Sequence, residues 1–168
     1  MKIALVALLF AASALAQGPR AGLSPACGPA GVQFKVDLES AQPGVLPPEP
    51  GQARIYFIHD AGTPALFAYP TTRLGVDGEW VGANHGNSYF SISVDPGEHH
   101  LCASLQSSVV DPRAEFAYLT AQAGKTYFYR TRLVMSREVE LLELEPIDSD
   151  QGRYLIASYP LSAPTPKK

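Results

Sequence analysis

The sequence predicts an all-β chain: an antiparallel β-sandwich of about seven or eight short strands, with one short helix near the C-terminus. Three observations carry that reading. Apolar and polar residues alternate with the period of two that a half-buried strand requires. Glycine and proline, 14 and 15 of the 168 residues, interrupt those runs too often for long helices. One stretch, at Asp148 with Gln151 three residues on, has the form of a capping box and suggests a short helix.

Taken in order, residues 32–38 (VQFKVDL) alternate cleanly and form the first expected strand. Residues 41–52 hold Pro43, Pro47, Pro48 and Pro50 and read as a linker, because proline cannot donate to a central ladder. Ala53–His59 (ARIYFIH) is almost continuously apolar, which predicts a central strand covered on both faces. Residues 60–71 read as a loop. Asp77-Gly78 is a strong hairpin signal and joins residues 73–76 to 79–82, with Leu74 expected opposite Val81 and Gly75 opposite Trp80. The indole would then cover the backbone at Gly75.

The stretch 82–102 organises the rest. In Ser88–Val94, Phe90, Ile92 and Val94 fall on one face and Tyr89, Ser91 and Ser93 on the other. Asp95-Pro96-Gly97-Glu98 suits a β-turn at every position. Residues 99–105 read as the return strand of a hairpin, with Leu101, Ala103 and Leu105 on its apolar face and His100, Cys102 and Ser104 opposite. Residues 106–113 read as a loop, 115–120 as a strand and 121–124 as a turn. A long strand follows over 125–135, with Tyr127, Tyr129, Thr131, Leu133 and Met135 on one face. Arg130 and Arg132 lie on the other, positioned to pair with Glu138 and Glu140. Residues 138–145 change phase at Leu141-Leu142, which suggests a β-bulge or a short helix. A helix should run through Leu155 to Ala157, and residues 161–168 read as a flexible tail.

Residues 1–16 form an expected signal peptide: Lys2 supplies the charge, residues 3–10 the apolar run, and Ala14-Leu15-Ala16 the small-x-small cleavage pattern. No apolar run reaches the ~18 residues of a permanent membrane span, and Cys27 lies too far beyond the first run for a lipoprotein. Residues 17–50 then read as an N-terminal strap with one strand and a proline-rich linker, and 51–160 as the sandwich domain. A net charge of −3 gives no footprint for nucleic acid. Export implies an oxidising compartment, in which Cys27 and Cys102 should form a disulfide pinning the strap to the outer side of a sheet.

Three constellations invite chemistry. His85, His99 and Glu98 could form a metal site if their turns meet at one end of the sandwich; turn histidines bonded to backbone are the plainer reading. His100 and Cys102 share a strand face and could form a thiol–imidazole pair, unless the disulfide consumes the thiol. Trp80, Tyr69 and Tyr89, with His85 nearby, could form an aromatic platform for a sugar or peptidoglycan, although aromatics in a sandwich more often pack the core. No P-loop, G-x-S-x-G, H-E-x-x-H or dinucleotide fingerprint occurs. No cofactor is expected.

The combination Ala53-Arg54-Ile55-Tyr56-Phe57, Val76-Asp77-Gly78-Glu79-Trp80-Val81-Gly82, Tyr89-Phe90 followed by Pro96-Gly97-Glu98-His99, and Gly124-Lys125-Thr126-Tyr127-Phe128 resembles the exported bacterial domain-of-unknown-function family 2846. The likeness covers roughly residues 51–158. The pattern is also similar to transthyretin-like and carboxypeptidase-regulatory-like sandwiches, which are immunoglobulin-like in architecture. The resemblance implies a periplasmic or extracellular, non-enzymatic module of the cell envelope that binds or supports an envelope protein or polysaccharide. It carries no catalytic residues over to this chain.

Overall fold

The computed structural model describes residues 26–40, 44–61, 70–106, 114–136 and 139–168. The expected signal peptide, Tyr69 and most of the loops 60–71 and 106–113 lie outside them. Among the described residues, the order is β1 (Phe34–Glu39), β2 (Ala53–His59), β3 (Thr71–Val76), β4 (Glu79–His85), β5 (Ser88–Val94), β6 (Gly97–Leu105), β7 (Ala114–Ala121), β8 (Thr126–Ser136), β9 (Val139–Ile147), α1 (Ser149–Ser158) and β10 (Leu161–Pro166). The all-β expectation holds, but there are ten strands rather than seven or eight. One sheet runs β1-β10-β5-β2-β8-β9 and the other β4-β3-β6-β7. The larger is mixed, not purely antiparallel, because β2 pairs β8 and β10 pairs β5 in parallel.

The alternation read from the sequence builds the core. Ala53, Ile55 and Phe57 of β2, Phe90 of β5 and Tyr129 of β8 face Leu74 and Val76 of β3, Leu101 and Ala103 of β6, and Leu119 of β7. β2 is buried on its other face too. There Tyr56 and Ile58 join Tyr89 and Phe128 beneath Leu155 and Ile156 of α1, with the Tyr56 and Phe128 rings stacked at 5.5 Å. Asp148 caps that helix, its carboxylate accepting from the Asp150 and Gln151 amides at 2.9 Å, as the capping pattern predicts. No described helix is long and apolar enough to cross a membrane.

The expected hairpin between β5 and β6 does not form. β5 pairs β2 over seven residues, whereas β6 pairs β3 and β7 in the opposite sheet. The expected β-turn at Asp95-Pro96-Gly97-Glu98 is instead a bend at Pro96, with Gly97 at φ 143° already in β6, and it carries the chain from one layer to the other. A hairpin would place Phe90 and Ile92 beside Leu101 and Ala103 on one face; here they meet face to face across the core. Both arrangements leave the same alternation in the sequence.

The β3–β4 hairpin does form, with Asp77 and Gly78 at φ 52° and 89° as a type I′ turn needs. Gly75 stands opposite Trp80, but Leu74 faces Gly82 rather than Val81 because the register shifts between Leu74 and Gly75. β9 is regular against β8, with no bulge and no helix over residues 139–147. Arg130 pairs with Glu145 and Asp60, and Arg132 with Glu143, because the β8–β9 register puts Glu145 and Glu143 directly opposite them; the expected partner Glu138 lies outside the described residues. The segment expected to fray is a strand: β10 pairs β1 from end to end. Its prolines fit because a proline can lie in a ladder wherever no N–H is required of it.

Cys27 and Cys102 are joined, with Cα atoms 5.2 Å apart, and hold the strap on the outer face of the four-stranded sheet as expected. Further bonds fasten it. Trp80 Nε1–H donates to Pro29 O at 2.9 Å, Arg73 Nη1 to Val32 O at 2.6 Å, and Gln106 bonds both main-chain groups of Phe34. A Cβ on Gly75 would stand 2.8 Å from Ala26 O and 3.3 Å from Trp80 Cε3, so the indole and the strap do cover that backbone.

Candidate functional site

β10 touches β5 through one register pair, Leu161 opposite Tyr89, with Tyr89 N–H donating to Pro160 O at 3.2 Å. It then leaves for the other sheet. The Pro164 ring lies against Gly82 of β4, where a Cβ would come within 3.1 Å of Pro164 Cγ and 2.7 Å of Phe90 Cζ. The parting opens a cleft of about 360 Å³ between β5, β10 and the linker. Leu46, Val81, Phe90, Ile92, Leu161 and Pro164 make it chiefly apolar, and among the described residues no acidic or basic side chain lines it. That volume lies in the range of small-ligand sites.

Tyr89 and Tyr56 supply its phenols. Tyr56 Oη accepts from the Leu46 amide at 2.7 Å, which holds the linker at the rim. The Tyr89 hydroxyl is buried and has no hydrogen-bond partner among the described residues. Burial, then the neighbouring Tyr56, raises its pKa, so it stays a neutral donor and acceptor. An unpaired buried hydroxyl costs on the order of 1–3 kcal/mol.

The other sequence candidates are not brought together. Tyr89 is buried on the six-stranded sheet and cannot present a flat ring to solvent. Trp80 belongs to the four-stranded sheet, bonded to the strap and stacked on Arg73, whose guanidinium lies 4.4 Å from the ring centroid. The proposed aromatic platform of Trp80 and Tyr89 therefore does not exist as a surface. His85 ends β4 opposite Thr71, bonded to its hydroxyl at 3.1 Å. His99 and Glu98 lie at the other end of β3, next to Asp77. Six residues at about 3.3 Å each separate the two ends by about 20 Å, so His85, His99 and Glu98 form no common metal site. Among the described residues no group of three acidic, histidine or cysteine side chains could hold a metal. Cys102 is consumed by the disulfide, and the His100 ring packs edge-on against Tyr118 at 5.3 Å.

His99 instead ties a turn and a bend together. Its Nδ1 contacts Asp77 Oδ2 at 2.6 Å and its Nε2 contacts Asp95 O at 2.8 Å, while the His100 amide donates to Asp77 Oδ1 at 2.8 Å. Asp95 O can only accept, so Nε2 donates, and the Asp77 carboxylate at Nδ1 favours the charged ring. Burial opposes that charge, but the bonds to Asp77 and Asp95 raise the pKa above its usual value.

Sequence reasoning passed over His59. It continues the inward parity of Ala53, Ile55 and Phe57 and is fully buried between the sheets, its Nδ1 2.9 Å from Thr131 Oγ1. Burial lowers its pKa to about 4, so the imidazole is neutral. His59 Nε2, Thr72 Oγ1 and Asn84 Oδ1 are buried without partners among the described residues. Thr72 stands opposite Asn84, whose Nδ2 donates to Phe57 O at 3.1 Å, so the inward end of the core is polar. The parity of β2 was the available signal.

Comparison with family models, with curated proteins and with solved structures finds no match.

Proposed function

We propose that this chain is an exported, non-enzymatic β-sandwich module of the cell envelope, one that binds a partner through the cleft between β5 and β10. The observation that carries the reading is the apolar cleft of about 360 Å³, lined in part by Tyr89, whose buried hydroxyl has no hydrogen-bond partner among the described residues. A site with an apolar lining, few polar groups and no acid–base pair suits recognition by shape and hydrogen bonding. Export draws its support from the leader-like residues 1–16 and from the joined Cys27 and Cys102. Membership of family 2846, with a transthyretin-like or immunoglobulin-like sandwich, is proposed on the motifs quoted above.

Titration with a library of neutral organic fragments, followed by amide and tyrosine NMR shifts, tests the cleft. Shifts should concentrate at Leu46, Tyr89, Ser91 and Leu161. Shifts confined to Trp80, His85 or the strap, or none at all, would overturn the assignment.

A further inference from the structure

We infer that the cleft receives an extended, uncharged peptide segment, which adds as a strand to the free edge of β5; this rests on reading the cleft as the binding site. The argument is one of main-chain direction. Tyr89 N–H points to β10, bonding Pro160 O, and successive residues of a strand point their main-chain groups to opposite sides. Tyr89, Ser91 and Ser93 therefore direct N–H and C=O toward the cleft, while Phe90, Ile92 and Val94 direct theirs to β2.

β10 has the matching parity. Lys167 N–H bonds Gln33 O on the β1 side and Pro160 O faces β5, so Ser162, Pro164 and Pro166 are the residues turned toward β5. The next rung of a parallel ladder that begins at Leu161 opposite Tyr89 takes Ser91 N–H to Ser162 O and the residue-164 N–H to Ser91 O. Residue 164 is proline and has no N–H. The ladder ends there for a chemical reason, and β10 turns to Gly82 on β4. Among the described residues the β10–β5 register is the single pair Leu161–Tyr89, so Ser91 and Ser93 have no ladder partner on the cleft side.

What remains on β5 is a donor and an acceptor side by side at Ser91, repeated two residues later at Ser93, about 6.6 Å apart. An extended polypeptide main chain has the complementary array, and strand addition to an open sheet edge uses it. The serine side chains do not obstruct it: Ser91 Oγ accepts from Arg54 and Ser93 Oγ donates to Glu49. Among the described residues the cleft lining carries no charged side chain, and Arg54 and Glu49 beside Ser91 and Ser93 are paired with each other; this favours an uncharged segment, to which Val81, Ile92 and Leu161 offer apolar contact. The stretch Ser91 to Val94 accommodates about four residues, roughly 13 Å of chain.

The test uses the whole protein and a blocked, uncharged hexapeptide of alternating valine and serine, with a control peptide N-methylated at alternate residues. The plain peptide should slow exchange of the Ser91 and Ser93 amides by about tenfold or more, leaving Phe90 and Ile92 unchanged. The methylated peptide should have no effect. Equal effects from both peptides, no effect at Ser91 and Ser93, or protection that grows with protein concentration alone would overturn strand addition. If neutral fragments shift the cleft while the hexapeptide does not, the cleft stands as a binding site and the peptide inference falls.

Discussion

Leu161 stands opposite Tyr89 as the one register pair that joins β10 to β5, and Pro164 ends the ladder three residues later. The missing N–H removes one of the two bonds that the next rung of the ladder would make. Pro164→Val restores that donor and suits a strand. In the variant the residue-164 amide should become protected from exchange, and fragment or peptide binding should fall at least tenfold. An unprotected amide with binding unchanged would show that something other than the proline parts the strands.

Gly152 lies in α1 with its Cα turned to the Phe128 ring; a Cβ there would sit 2.5 Å from Phe128 Cγ. In an exposed helix Gly→Ala gains about 1 kcal/mol. Here overpacking, about 1–3 kcal/mol, opposes and should exceed that gain. Gly152→Ala should lower the urea midpoint, and a raised midpoint would refute the packing between helix and sheet.

Much of this layering was legible in the sequence. The two-sided apolar run Ala53–His59, the Asp77-Gly78 turn, the Asp148 cap and the cysteine pair each carry a local chemical signal, and each is found as read. What was not legible is which strands lie side by side. Phe90 and Leu101 have the same inward parity whether their strands pair or stack, so the bend at Asp95-Pro96-Gly97 fixed the reversal and not the layer. The tail forms a strand although it holds Pro164 and Pro166, because both face away from β1, with which β10 pairs throughout. Tyr89 was singled out as an exposed ring on the polar side of its strand. Its importance lies in the opposite circumstance, since α1 and β10 cover that side and strand its hydroxyl. Neither covering element leaves any mark within residues 88–94.

The Cys27–Cys102 link closes a loop with a sequence separation of 75 residues. Constraining the unfolded chain over that length contributes about 4 kcal/mol. The double variant Cys27→Ala/Cys102→Ala should lose about that much in urea unfolding at neutral pH. It should still fold, because Trp80, Arg73 and Gln106 also hold the strap. A loss below about 1 kcal/mol would contradict the role given to the bridge.

His59 makes stability depend on pH with a definite sign. Its pKa is about 4 when folded, because burial disfavours the charged ring, against 6.5 for the free side chain. Asp60 and His85 act on it more weakly and in opposite directions. Between those values the unfolded state binds the extra proton, so stability is full above pH 6.5 and falls as pH drops toward 4. The loss is on the order of 3 kcal/mol. His99, raised by its carboxylate and carbonyl partners, works the other way: its contribution is present below pH 6.5 and fades as pH rises through its folded value. Unfolding curves of the wild type and His59→Gln at pH 7 and pH 4.5 should differ in slope with pH, the variant losing most of the acid sensitivity. Equal acid sensitivity would place the titrating group elsewhere.

The most direct measurement is amide hydrogen exchange along β5 in the free protein. Phe90 and Ile92, bonded into β2, should exchange at least about a hundredfold more slowly than Ser91 and Ser93, which face the cleft. Uniform protection from Tyr89 to Val94 would mean that β5 has a strand on both sides, and the open edge on which the account depends would not exist.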